Sequence, residues 1–63
     1  MATEKWHWFV ERGELSDGRI TWYSVTARPG KSAACDERDL LKRISPKRTY
    51  RVRYDELGAT VRT

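Results

Sequence analysis

Apolar and polar positions alternate with period two from Lys5 to Glu11. In KWHWFVE, Trp6, Trp8 and Val10 fall on one side and Lys5, His7, Phe9 and Glu11 on the other, the pattern of a strand with one apolar face. RGELSDG follows, with Gly13 and Gly18 as punctuation and Asp17-Gly18 as a hairpin turn. RITWYSVTAR is rich in β-branched and aromatic residues and predicts a second strand. Its apolar positions change face midway, Ile20 and Trp22 pointing opposite to Tyr23 and Val25; a β-bulge would reconcile them.

PGKS ends that strand, and a helix of about three turns follows. Ser32 or Asp36 is its expected cap, and Asp36, Glu37 and Asp39 suit a positive helix N-terminus. Leu40, Leu41 and Ile44 form its apolar face, Lys42 and Arg43 close its negative end, and Pro46 stops it. So short a helix needs a sheet beneath it. RTYRVRY predicts a third strand, with Tyr50, Val52 and Tyr54 inward and Thr49, Arg51 and Arg53 outward. ATVRT, after Gly58, either adds a short fourth edge strand or frays. The expectation is one α+β domain over residues 1–63, in the order ββαβ(β): a small antiparallel sheet with a single helix packed on one face.

Length limits what holds such a domain together. A 63-residue chain buries only about 60% of its unfolded surface. One cysteine and one histidine exclude an internal disulfide and a Cys/His zinc site. Stability is therefore expected from the rings of Trp6, Trp8, Trp22, Phe9, Tyr23, Tyr50 and Tyr54. The net charge of +4 and pI near 9.6 favour polyanions or acidic protein surfaces as partners, although a charge of this size also serves solubility alone. The start, MATEKWHWFVERG, lacks the apolar segment of a signal peptide, and no run reaches membrane-spanning length. The expected location is the cytoplasm, without membrane association.

Catalysis finds little support. His7 and Cys35 are the candidates for a nucleophile–base pair, and nothing in the sequence brings them together. The pairs Asp36/Glu37 and Asp55/Glu56 are sequence neighbours whose side chains diverge. RPGKS lacks the leading glycine of a phosphate loop. No enzyme activity, cofactor, metal or small-molecule substrate is expected. The basic third strand says more: opposite the helix lie His7, Phe9, Arg51 and Arg53, with either Trp22 or Tyr23. Arginine beside an exposed ring offers stacking and bidentate anion contact, as RNA-binding sheets do. Lys47 and Arg48 of SPKR add a second basic point within reach of phosphates, though a helix stop followed by polar residues accounts for them equally. The bland alternative is that the arginines solubilise an open face. With Tyr50, Val52 and Tyr54 satisfying the core, Arg51 and Arg53 are expected to be free for recognition, and their removal to leave stability unchanged.

Length, element order and two stretches resemble the small T7-type phage inhibitors of bacterial RNA polymerase. In that family an N-terminal strand carries a lysine, an aromatic and a closing Val-Glu; KWHWFVE supplies Lys5, Trp6, Val10 and Glu11. The last strand there carries Arg-Val-Arg; here it is Arg51, Val52 and Arg53. The resemblance covers those two stretches, whereas the short, basic-ended helix and the DELGATVRT tail depart from the family. It implies a three-stranded antiparallel sheet with one helix, and a non-enzymatic inhibitor that wedges against polymerase near the DNA channel, gripping it with the arginine pair. Two other classes stand beside it: a module binding DNA or RNA directly through arginines and exposed rings, and an assembly protein pairing through a sheet edge. Salt dependence separates the first two, since phosphate binders lose affinity steeply as salt rises.

Overall fold

The computed structural model describes residues 3–62. Strand β1 (Thr3–Ser16) turns back into β2 (Arg19–Arg28), helix α1 (Lys31–Ile44) follows, and β3 (Thr49–Arg62) completes the chain. The three strands form one antiparallel sheet in the order β2-β1-β3. Asp17 (φ 52°) and Gly18 (φ 75°) both take left-handed backbone conformations, the geometry a two-residue hairpin needs to match strand twist. That turn sets Ser16 opposite Arg19.

The face change within β2 is a bulge. Val10 pairs with Thr26 and Glu11 with Ser24, so Val25 has no partner residue on β1. Trp22 thereby joins the face of Glu11 and Gly13, while Thr26 and Arg28 join that of Trp8 and Val10. A larger bulge interrupts β3. Trp6 pairs with Ala59 and Trp8 with Tyr54, leaving His7 opposite the segment 55–58. There the Leu57 N–H donates to Asp55 Oδ1 at 2.9 Å, and Gly58 takes φ 69°. Beyond it residues 59–62 pair with Thr3–Trp6. ATVRT is therefore neither a fourth strand nor a frayed end but the continuation of β3; its last residue, Thr63, lies outside the described residues.

The helix departs from expectation at its start and on its buried side. Gly30 is the N-cap, in extended conformation, with no side-chain capping bond and no acid in the first turn. Ala34 N–H closes that turn on the Gly30 carbonyl at 3.1 Å. Ser32 and Asp36 thus lie inside the helix rather than capping it, because Pro29-Gly30 lets the chain enter helix directly at Lys31. Lys42 and Arg43 occupy the last turn as expected. Ser45 N–H donates to Leu41 O at 2.9 Å and Arg48 N–H to Ser45 O at 3.1 Å, turning the chain into β3. Ala34 is fully buried while Leu40 and Ile44 are 47% and 69% exposed. Leu41, two turns after Ala34, is half-buried. The small Ala34 side chain, not a leucine cluster, marks the close approach to the sheet.

The core is correspondingly small. Among the described residues Val10 and Ala34 are the fully buried apolar ones, and the rings expected to form the core are half-buried or exposed. The reason is geometric: a helix of 14 residues is about 21 Å long, whereas the molecule extends 43 Å along its longest axis.

Candidate binding face

On the face carrying Phe9, Glu11, Gly13 and Trp22, the β1–β3 register sets Arg51 opposite Glu11 and Arg53 opposite Phe9. Arg51 Nε donates to Glu11 Oε1 at 2.8 Å, and Arg53 Nε donates to Oε2 of the same carboxylate at 2.9 Å. Each guanidinium also lies over a ring, Arg51 over Trp22 at 4.1 Å and Arg53 over Phe9 at 5.3 Å, within cation–π range. Glycine makes room for this. A Cβ at Gly13 would stand 3.0 Å from Trp22 and 3.1 Å from Ile20, so the indole lies against bare backbone and forms the floor for Arg51.

Glu11 is the residue this arrangement hides. It is 4% exposed, whereas the Arg51 and Arg53 side chains are 42% and 36% exposed. Burial raises its pKa, but the hydrogen bonds and charges of Arg51 and Arg53 outweigh that, so the carboxyl titrates below its ordinary range. Arg53 Nη1 also binds Asp55 Oδ2 at 3.0 Å. Bonds to Asp55 and then Glu11 raise the Arg53 pKa, and Arg53 lowers that of Asp55 with help from the Leu57 N–H. Among the described residues, both terminal nitrogens of Arg51 and Nη2 of Arg53 make no protein hydrogen bond. They are the donors the face offers outward.

The expected site residues separate into groups. Phe9, Arg51 and Arg53 come together, but the arginines are not free: each is tied to Glu11 and stacked on a ring. His7 stands beside this cluster, linked through Asp55. Its Nδ1–H donates to the Asp55 carbonyl at 2.9 Å, and its ring fills the space a Cβ on Gly58 would need, 2.8 Å away. That is a packing role in the bulge. Lys47 is exposed before β3, and Arg48 approaches Glu14 at 4.0 Å. Glu14 is also bound by Arg12 at 2.9 Å, and both project to the opposite face from Glu11 and Gly13 by strand alternation. Lys47 and Arg48 are not part of the arginine cluster.

Trp22, rather than Tyr23, is the second-strand ring on this face, and Glu11 and Asp55, which sequence reasoning did not select as site residues, complete it. Alternation did place Glu11 beside His7 and Phe9, so its side was readable; its partners, 40 and 42 residues away, depended on register. Cys35 is half-buried in α1. Among the described residues no three His, Cys, Asp or Glu side chains gather as a metal site, no pocket is enclosed, and no helix is long and apolar enough to cross a membrane. Comparison of the chain with protein-family models, curated proteins and solved structures finds no match.

Proposed function

We propose that this is a non-catalytic binding protein that engages an acidic surface of a protein partner through Arg51 and Arg53. Its favoured role is that of a phage-type inhibitor or regulator of host nucleic-acid machinery, acting in the host cytoplasm. Bacterial RNA polymerase is the favoured target, on the strength of the KWHWFVE and Arg-Val-Arg resemblance. The observation that carries the binding role is the two-point fixation of Arg51. Glu11 holds its Nε and Trp22 its plane, so its terminal nitrogens are oriented before a partner arrives. Preorganisation of this kind reduces the ordering cost of binding, and a planar fork suits a carboxylate.

Direct nucleic-acid binding is less well supported. Trp22 and Phe9 lie under guanidinium groups, so a base would have to displace an arginine before stacking. Within the cluster, Glu11 and Asp55 offset the charge of Arg51 and Arg53, which weakens a phosphate-tracking stripe. The test is binding to nuclease-treated bacterial RNA polymerase. Arg51→Lys with Arg53→Lys keeps the net charge and a cation for Glu11 but removes the planar forks. Affinity should fall at least tenfold, which is about 1.4 kcal/mol. Arg19→Ala with Arg43→Ala, both exposed, removes two charges elsewhere and should change affinity less. Equal binding by the lysine pair and the parent, or a larger loss in the control, would sink the proposal.

A further inference from the structure

The binding face continues past the arginines onto a projecting apolar finger. β3 begins at Thr49, opposite Gly13, so residues 14–16 of β1 and 19–21 of β2 extend beyond it as a two-stranded hairpin. Leu15 and Ile20 are cross-strand partners there and therefore share a face. They are 74% and 53% exposed. Ile20 and Trp22 both lie over Gly13, which places Leu15, Ile20 and Trp22 on the same side as Glu11 and Arg51. One continuous surface thus runs from a bare aliphatic pair, across the indole, to the oriented nitrogens of Arg51.

We infer that the finger is the apolar half of the binding site, and that its occupant is an extended protein segment carrying both a large apolar side chain and, farther along, an acidic one. The inference rests on the proposed protein-binding role of Arg51. Charge complementarity and continuity select this occupant. A purely apolar ligand would leave the Arg51 donors without an acceptor, and a purely acidic one would leave Leu15 and Ile20 in water. Four residues along β1 separate the Glu11–Arg51 rung from the Leu15–Ile20 rung, about 13 Å at strand rise. An extended ligand therefore spaces its acidic and apolar groups roughly four residues apart.

The probe is a display library of random 12-residue peptides, selected on the full chain. Enriched sequences should pair Asp or Glu with Leu, Ile, Met or Phe at about that spacing. Leu15→Ser with Ile20→Ser should weaken the best peptide at least tenfold without altering the dependence of its binding on salt, since apolar contacts are not screened. Leu15→Ser alone, at the more exposed position, should show the same direction if the double variant folds poorly. Arg51→Lys with Arg53→Lys should weaken the peptide while leaving its salt dependence nearly as it was, because the charge is kept and only the planar fork is lost. Enrichment of acidic peptides lacking an apolar partner, with undiminished binding by the serine variants, would overturn the finger while leaving the arginine site standing. Failure to enrich any peptide that depends on Arg51 and Arg53 would overturn both. A parent dimer made monomeric by the serine pair would make the occupant a second copy of the chain and overturn the inference.

Discussion

Removing Arg51 and Arg53 together leaves the Glu11 carboxylate, 4% exposed, without either of its cationic donors. Removing Glu11 instead leaves two arginines that are 42% and 36% exposed and can rehydrate in place. The two truncations are therefore unequal. Arg51→Ala with Arg53→Ala should cost about 2–3 kcal/mol, the range for an unpaired buried charge discounted for water entering once the arginine lid is gone. In a domain of this size that is roughly 10–20 °C in Tm. Glu11→Gln should cost about 1 kcal/mol, because its amide oxygen still accepts one bond. Adding Glu11→Leu to the double alanine variant should recover most of the loss, since no charge then stays buried. An unchanged Tm in the double alanine variant would show that Glu11 is solvated. The same residue sets a pH dependence. Its carboxyl titrates below the ordinary value near 4.5 in the folded state. Its stabilisation is thus present above that value and is lost as pH falls through the lowered one. Asp55, also lowered, acts with the same sign. Urea midpoints between pH 7 and 3 should fall in the parent and fall less in Glu11→Gln; parallel curves would remove Glu11 as the cause.

At the scale of elements, the β3 bulge carries the most specific backbone requirement. Gly58 combines φ 69° with a Cβ position 2.8 Å from the His7 ring, so Gly58→Ala meets both a conformational and a steric penalty. It should destabilise by about 1–2 kcal/mol. In a His7→Ala background the clash with the ring disappears while the conformational part and the 3.2 Å approach to Lys5 Cβ stay, so the alanine should cost measurably less there. An equal cost in both backgrounds would remove the His7 ring as a cause. Why DELG hid this bulge is clear in hindsight: Asp and Gly are turn signals, so the chain reads as ending a strand where it only detours. Alternation in KWHWFVE and TYRVRY, by contrast, revealed both strands and their faces, because period two survives any register. The face switch in β2 was legible for the same reason, as a break in period that needs one extra residue. The buried side of α1 was not: three large aliphatics drew attention to Leu40, Leu41 and Ile44, while contact is made where Ala34 permits it. Glu11 fell between these cases, its face readable and its arginine partners fixed only by pairing across 40 residues.

Across the whole molecule, support is uneven along the sheet. The radius of gyration is 12.8 Å, against about 11 Å for a compact chain of this length. Only the middle of β1, from Trp8 to Gly13, has strand partners on both sides. It also holds the fully buried Val10, and Glu11 under the arginines. On one side of this centre the finger is two strands deep; on the other, Thr3–Trp6 pairs with 59–62 alone. Two-stranded ribbons are marginal by themselves, so opening should begin at both ends and reach the centre last. Amide hydrogen exchange should show the slowest protons at residues 9–12 and their β3 partners, with those of Thr3–Trp6 and 59–62 exchanging at least tenfold faster, equivalent to about 1.4 kcal/mol of easier opening. Uniform protection along β1 would mean that the ribbon is part of one cooperative unit. Adding a peptide selected for the finger sharpens the comparison. Binding at Leu15, Ile20 and Arg51 should slow exchange at 14–16 and 19–21 while leaving Thr3–Trp6 as it was, because those residues touch neither the arginines nor the aliphatic pair. Equal slowing at both ends would instead locate the ligand's effect in global stability rather than on the face that the finger and the arginines share.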